Sequence, residues 1–135
     1  AVTIEEAEHM MATRLWQNNS KGHFDKTIRD DKKRLIYGGH LISLGRALSF
    51  NGLENAQIIT AINGGTHVNP TFAGDTIFAK SEIIDKFEDI SDHCGALRIL
   101  LSVAKKNIDD SFYKNDQIPE ESIVLKFDYW ALIPK

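Results

Sequence analysis

The fold is decided by the stretch Arg34-Leu-Ile-Tyr-Gly-Gly-His-Leu-Ile-Ser-Leu-Gly-Arg-Ala-Leu-Ser-Phe-Asn-Gly52. After the pair Gly38-Gly39, apolar residues recur at helical spacing, which predicts an α-helix that ends at Asn51-Gly52. Because only Ser43, Arg46 and Ser49 are clearly polar, we expect most sides of this helix to be buried. The glycine pair either forms a structural turn or presents bare N–H groups, at the positive end of the helix, to an anionic oxygen.

Length and composition predict one globular domain over residues 1–135. The chain has 135 residues, 42% hydrophobic and 26% charged, which suffices for one core but not for two ordinary domains. A formal net charge of −3 gives no sign of the basic face that binds nucleic acid. Cys94 is the only cysteine, so neither an intrachain disulfide nor a metal-binding spacing is predicted. Without a membrane-length apolar run or a signal peptide, we predict a cytoplasmic protein with no membrane partner.

The N-terminal region is predicted to be a helix followed by a polar loop. Thr3-Ile-Glu-Glu6 has the form of a capping box, which would start the helix. The predicted apolar face consists of Ala7, Met10, Met11 and Leu15. The pattern stops at Asn18-Asn19-Ser20, which favour caps and turns. The charged stretch 21–33 follows as a loop with at most a turn of helix, and it contains His23 and Asp25.

Strands dominate the remainder of the chain. Strands are predicted at residues 57–63, 76–84, 96–105 and 122–133, and a loop at 107–121. Gly64-Gly65 interrupts the first of these strands and predicts a bulge or a close approach by another group. A fifth strand either precedes residue 37 or comes from a segment outside this sequence. The order predicts an α+β fold in which an antiparallel sheet curls around the central helix, with a flatter two-layer arrangement as the alternative.

Two segments carry a resemblance to a known family. The segment Ile36-Tyr-Gly-Gly-His40, and the turn Val68-Asn-Pro-Thr-Phe-Ala-Gly-Asp-Thr76 before a strand, resemble those of the MaoC-like dehydratases. Residues 15–25 resemble the active-site loop of that family. The resemblance runs from about residue 3 to the C-terminus and is strongest to one half of a protein with two hot-dog units. It implies a hot-dog fold, hydration or dehydration of acyl-CoA thioesters without a cofactor, and a homodimer or pairing with a sister unit.

The same resemblance implies catalytic residues by position. His23 falls on the catalytic histidine, a residue type suited to act as general base near pH 7. The acidic partner of that histidine falls on Asn18, a neutral amide that forms hydrogen bonds but does not ionise. Asp25, two residues after His23, is a candidate for part of the missing role. Gly39 falls on the glycine whose N–H binds the thioester oxygen, a donor typically worth about 3 kcal/mol in the transition state.

Four further residues are candidates for binding the substrate: Gly38, His40, Arg46 and His67. Gly38 belongs to the same turn as Gly39, and His40 starts the helix. His67 lies beside the glycine interruption of the strand, and Arg46 can meet a substrate carboxylate if it faces the pocket. Each also has a plainer interpretation, namely a structural turn, a helix cap, strand packing and an ion pair within the protein.

Two other functions fit a hot-dog domain. An acyl-CoA thioesterase places an Asp or Glu base on or near the central helix, and the absence of an acid between Gly38 and Gly52 counts against it. A non-catalytic unit that supports a partner's active site is favoured by Asn18, which stands where the catalytic acid belongs.

Overall fold

The protein is a five-stranded antiparallel sheet with a helix packed against it. The structure is a computed structural model that describes residues 1–106 and 120–135. In chain order the elements are β1 (Val2–Thr3), α1 (Glu6–Leu15), 3-10 turns at Lys21–His23 and Lys26–Ile28, α2 (Gly38–Leu48), β2 (Ile59–His67), β3 (Thr76–Phe87), β4 (Cys94–Ala104), a 3-10 turn at Glu120–Ser122 and β5 (Ile123–Pro134). Apart from residues 120 and 121, the loop predicted over 107–121 lies outside the described residues. None of the described helices has the length and hydropathy needed to cross a membrane.

The sheet has the strand order β1-β3-β4-β5-β2. All neighbouring strands are antiparallel, with β3 paired to β4 from Phe78↔Ala104 to Phe87↔Ala96, and β2 at one edge beside β5. The four strands predicted from the sequence are confirmed, although β3 extends to Phe87. The fifth strand is β1, which lies before residue 37, as one of the two expectations had it.

The core lies between α2 and the sheet. The alternating side chains of β4 and β5 face it, as the period-two pattern predicts, with Ile99, Leu101, Val103, Leu125, Phe127, Tyr129 and Ala131 all buried. A Cβ added to Gly45 would lie 2.7 Å from Val103 Cγ2, so only glycine allows this approach of helix and sheet.

The sheet covers only one side of α2, so the expectation of burial on most sides is wrong for this chain alone. Leu41 and Gly45 are fully buried, whereas Ile42, Leu44 and Leu48 are partly buried against the core. The helix also ends at Leu48, before the predicted Asn51-Gly52 stop, which lies in the turn that follows.

The predicted capping box at the N-terminus is wrong. Thr3 belongs to β1, and its hydroxyl forms a hydrogen bond of 2.8 Å with that of Thr76 on β3. Glu6 forms ion pairs with Lys26 and Arg34 instead of reaching back to Thr3. Strand pairing with β3 therefore takes the residue that a local pattern assigned to the helix cap.

The buried face of α1 is polar, opposite to the prediction. Met11 and Leu15 are each 72% exposed, whereas His9 and Thr13 are fully buried. The two buried side chains lie one helical turn apart, and Thr13 Oγ1 donates to the His9 carbonyl at 2.8 Å. This face packs against the start of α2 and brings His9 close to the functional site described below.

The glycine pair in β2 causes an irregularity but does not end the strand. The register with β5 shifts between Ile62 and Gly64, which agrees with the predicted bulge. The strand then continues to His67, beyond the predicted end at residue 63, and this extension places His67 beside the N-terminus of α2.

Candidate active site

A cavity of about 570 Å³ opens at the N-terminus of α2. The segments 35–39 and 67–71 form two adjoining parts of its wall. The cavity is lined by Asn18, His23, Leu35, Ile36, Tyr37, Gly38, Gly39, Leu41, His67, Val68, Asn69, Pro70 and Thr71. Five of the eight residues predicted for the site therefore meet in one place: Asn18, His23, Gly38, Gly39 and His67.

Backbone hydrogen bonds hold the walls together. The Ile36 N–H donates to the Thr71 carbonyl at 2.9 Å, and the Leu35 N–H donates to the Gly22 carbonyl at 2.9 Å. The extended segment before α2 is thus bound to the His23 loop on one side and to the segment after β2 on the other. Residues far apart in the sequence are fixed around the same cavity.

The hydrogen bond made by His23 determines which of its nitrogens is free. Nδ1 lies 2.8 Å from the Leu35 carbonyl oxygen, and a carbonyl only accepts, so Nδ1 carries the proton. In the neutral ring Nε2 then holds the lone pair and can accept a proton. His23 is half-buried on the cavity wall, with its ring 5.9 Å from that of Tyr37. This is the tautomer that a general base requires.

The glycine pair gives α2 an open N-terminus. The first N–H groups of a helix have no carbonyl one turn earlier to bind, and the first bonds of α2 are those from the His40 and Leu41 N–H groups to the Tyr37 carbonyl. In the described part of the chain, neither the Gly38 N–H nor the Gly39 N–H therefore has a hydrogen-bond partner. A Cβ on Gly38 would overlap the His67 ring, and one on Gly39 would lie 2.6 Å from Tyr37 Oη. Both positions therefore favour glycine, and two N–H groups without partners belong to cavity-lining residues at the positive end of the helix.

His9 holds the start of α2 by a hydrogen bond, a role that the sequence did not indicate. Its side chain is fully buried, and Nε2 accepts a hydrogen bond of 2.8 Å from the N–H of Tyr37, the residue that precedes α2. Burial, followed by the positive charge of the neighbouring histidines, lowers the pKa of His9 from 6.5 to about 4. The ring is therefore neutral near pH 7. The i, i+4 spacing of His9 and Thr13 was the available signal for a polar buried face.

His40 joins the histidine cluster but does not line the cavity. Its ring centroid lies 6.2 Å from that of His9, and its Nε2 is buried without a partner among the described residues. Burial lowers the pKa of His40 below its usual value. Over residues 1–106 and 120–135, no group of three or more His, Cys, Asp or Glu side chains could hold a metal ion.

The two candidate partners of His23 are engaged in local turns. Asn18 follows the end of α1, where its N–H donates to the Thr13 carbonyl, and its Oδ1 accepts from the Ser20 N–H at 2.9 Å. The Asp25 carboxylate accepts from both the N–H and the hydroxyl of Thr27, which lowers its pKa. Asn18 lines the cavity, but Asp25 does not, so the structure does not bring Asp25 into the role suggested by its spacing.

Arg46 also lies away from the cavity, contrary to the expectation that it could meet a substrate carboxylate. Its guanidinium donates to the carbonyls of Ala56 and Gln57, at 3.1 and 3.2 Å, and lies 5.4 Å from the centroid of the Tyr129 ring. The plainer interpretation, an ion pair, is not observed between Arg46 and any carboxylate in residues 1–106 and 120–135 either. Arg46 instead fastens the end of α2 to the segment before β2.

Comparison with known proteins finds relatives of the whole chain. No family model matches it. It is 55% identical to mesaconyl-CoA hydratase of Cereibacter sphaeroides, over 99% of this chain and 39% of that protein. It is 48% identical to beta-methylmalyl-CoA dehydratase of Chloroflexus aurantiacus, over 99% of this chain and 40% of that protein. The chain thus spans about two fifths of the length of the curated relatives it matches.

Solved structures agree on the fold. A MaoC domain protein dehydratase from Chloroflexus aurantiacus superimposes with a TM-score of 0.87 at 46% identity, covering 99% of this chain and 40% of that one. The monoamine oxidase regulatory protein of Archaeoglobus fulgius gives a TM-score of 0.76 at 21% identity, over 99% and 84% of the two chains. The fold is therefore the hot-dog fold, and the resemblance to the MaoC-like dehydratases is confirmed.

Proposed function

We propose that this chain is a hot-dog unit of an acyl-CoA hydratase, which adds water across the 2,3 double bond of an enoyl-CoA or removes it in reverse. The observation that carries the proposal is the shared cavity of the His23 imidazole and the free N–H groups of Gly38 and Gly39. The 55% identity to a mesaconyl-CoA hydratase supports mesaconyl-CoA, or beta-methylmalyl-CoA in the reverse direction, as the substrate. We also propose a cytoplasmic location, as expected for a protein whose one cysteine forms no intrachain disulfide.

Hydration starts at His23. Nε2 takes a proton from a water molecule, and the water oxygen forms a bond to the β-carbon of the enoyl group. The electron pair of the double bond moves toward the carbonyl, which places negative charge on the thioester oxygen. The N–H groups of Gly38 and Gly39 donate to that oxygen and stabilise the enolate.

The reaction is completed by returning the proton. The His23 imidazolium gives its proton to the α-carbon as the enolate collapses to the saturated thioester, so one water is added and the base is restored. Dehydration runs through the same steps in reverse, with His23 as the base at the α-carbon and then as the acid at the leaving hydroxyl. A single acid–base residue suffices for this cycle because the proton that His23 takes from water is the proton that it returns to the α-carbon. Asn18, a neutral amide, takes no part in the proton transfer.

Asn18 contributes to this reaction as a hydrogen-bond donor in the cavity. Its Oδ1 is held by the Ser20 N–H, which leaves its NH₂ group as the part able to donate to a water or substrate oxygen in the cavity. The same substitution of amide for acid favours the alternative that this unit is non-catalytic and supports a partner's site. The two functions differ in whether His23 is needed for turnover.

The unit pairs with a second hot-dog unit in this proposal, either a second copy or a sister unit. The edge strand β2 is largely exposed. Ile58, just before the strand, and Ile62, within it, are each more than 60% accessible. An apolar edge of this length is an aggregation hazard unless it is covered. The relatives are more than twice as long as this chain, which leaves room for such a unit. A monomeric mass by light scattering at micromolar concentration would contradict the homodimer.

Turnover tests the proposal directly. Mixing the chain with mesaconyl-CoA or crotonyl-CoA should reduce the enoyl absorbance, and His23→Ala should abolish the reaction. His93→Ala is the matched control, since His93 is exposed and lies outside the cavity, and it should keep full activity. Full activity of His23→Ala would refute the mechanism. Release of free thiol from a saturated acyl-CoA would support a thioesterase instead.

A further inference from the structure

Thr71 carries an unpaired hydroxyl on the cavity wall. The residue is only 3% exposed, and its Oγ1 is buried without a hydrogen-bond partner among the described residues. It lines the same cavity as His23 and the glycine pair. A buried hydroxyl without a partner is costly, so such a group in a binding cavity indicates a partner that arrives with the ligand.

Several other polar side chains of the cavity already have partners. The Asn69 NH₂ group donates to the carbonyls of Glu120 and Ile123, at 2.9 and 2.7 Å. Asn18 Oδ1 accepts from Ser20, and His23 Nδ1 donates to Leu35. Among the described cavity residues, Thr71 Oγ1 is the one buried side-chain oxygen or nitrogen that lacks a hydrogen-bond partner.

The backbone around Thr71 is fixed on both sides. Its carbonyl accepts from the Ile36 N–H in the neighbouring segment, and the next N–H, that of Phe72, donates to Asp75 Oδ2 at 2.9 Å. Pro70 precedes it, and a β-branched side chain has few rotamers. The backbone that carries the hydroxyl is thus fixed before any ligand enters, and the side chain has few positions to choose from.

We propose that the Thr71 hydroxyl determines specificity by donating a hydrogen bond to an oxygen on the acyl group, so that acyl-CoA thioesters with a carboxylate are preferred over hydrocarbon acyl groups. The inference rests on the proposed function of this cavity. A thioester with an oxygen acceptor at this point satisfies the hydroxyl, whereas an alkyl group displaces water and leaves it unpaired.

The charged alternative for this role lies elsewhere. None of the described cavity residues is Lys or Arg, and Arg46, the predicted partner of a carboxylate, donates to backbone carbonyls outside the cavity. A neutral donor is also suited to an acyl group that must enter and leave, since it adds a hydrogen bond without a buried ion pair.

The test is equilibrium binding of two saturated thioesters of equal acyl length, succinyl-CoA and butyryl-CoA, to the wild-type chain and two variants. Thr71→Val replaces the hydroxyl by a methyl group of similar shape, and Thr71→Ser keeps the hydroxyl. We expect Thr71→Val to weaken succinyl-CoA binding by roughly tenfold to a hundredfold, the range for a hydrogen bond to a charged group. Butyryl-CoA affinity should stay within about twofold, and Thr71→Ser should keep the wild-type preference.

The outcomes separate this inference from the proposed function. Equal weakening of both thioesters by Thr71→Val, an unchanged ratio, or no binding of either thioester to the wild type would overturn the role of Thr71. Loss of the preference in Thr71→Ser would overturn it as well. Absence of hydration by the wild type, with the binding preference intact, would overturn the proposed function alone. Because binding is measured without turnover, the Thr71 result does not depend on His23.

Discussion

His9 should make the stability of the fold depend on pH. Its ring is fully buried, and Nε2 accepts the Tyr37 N–H, so a proton at this nitrogen would break the hydrogen bond that supports the start of α2. Burial lowers the pKa of His9 from 6.5 to about 4 in the folded chain. In the unfolded chain the ring is solvated and titrates at its ordinary pKa.

The direction and size of this pH dependence follow from the folded and unfolded pKa values of His9. Between the folded and unfolded pKa the unfolded state binds more protons, so stability is fully present above the unfolded pKa and falls as the pH drops toward the folded pKa. The difference between 6.5 and about 4 corresponds to roughly 3 kcal/mol in total. About 2 kcal/mol of this should be lost by about pH 5.

Urea unfolding of the wild type and of His9→Gln, at about pH 7.5 and about pH 5, measures this contribution. Glutamine offers an acceptor for the Tyr37 N–H and does not titrate, so the wild type should lose about 2 kcal/mol more than His9→Gln on acidification. His93→Gln, at an exposed position, should respond to pH as the wild type does. Equal losses in the wild type and in His9→Gln, or a measured pKa of His9 near 6.5, would refute the reasoning.

Two substitutions test the backbone geometry. Gly45→Ala places a Cβ 2.7 Å from Val103 Cγ2 and should lower the free energy of unfolding by roughly 1–3 kcal/mol in urea, whereas Gly64→Ala, with nothing within 4 Å, should change it little. Equal effects of the two would argue against the close approach of α2 to β4. Gln17 has a positive φ of 52° just after α1, so Gln17→Gly should raise the stability by up to roughly 1 kcal/mol. A lower melting temperature for Gln17→Gly would contradict that estimate.

The sheet and the central helix could be predicted because their patterns are long and depend on one buried face. The alternation through Ile99, Leu101 and Val103 has no competing interpretation, and the core confirms it. The N-terminus could not be predicted in the same way. β1 has only two residues, and Thr3 is placed by pairing with Thr76 across the sheet, a contact that no local pattern contains.

The site residues also differ in whether a sequence motif or a long-range contact defines them. The positions of His23 and Gly39 were carried over from a family motif, and the structure brings them to one cavity. The spacing of His9 and Thr13 indicated at most a polar buried face, because the contact of His9 with the Tyr37 N–H joins residues distant in sequence. The unpartnered hydroxyl of Thr71 has no local signal, because its burial depends on the tertiary structure. The family resemblance made Asp25 a candidate for part of the missing acid's role, but its carboxylate accepts hydrogen bonds from Thr27 in the turn that contains it.

The positions of the cavity residues along the chain predict an order of folding. Every lining residue of the cavity lies between residues 18 and 71, whereas the central strands β3, β4 and β5 lie between residues 76 and 134. The hairpin of β3 and β4 closes over a few residues, but β2 must find β5 across about half of the chain. Because such long-range closure is slow, the three central strands β3, β4 and β5 should pair before the first half of the chain, with β1 and β2, docks onto them. Chains caught at that stage would be compact and already largely β-structured, yet they would still lack a place to bind a thioester.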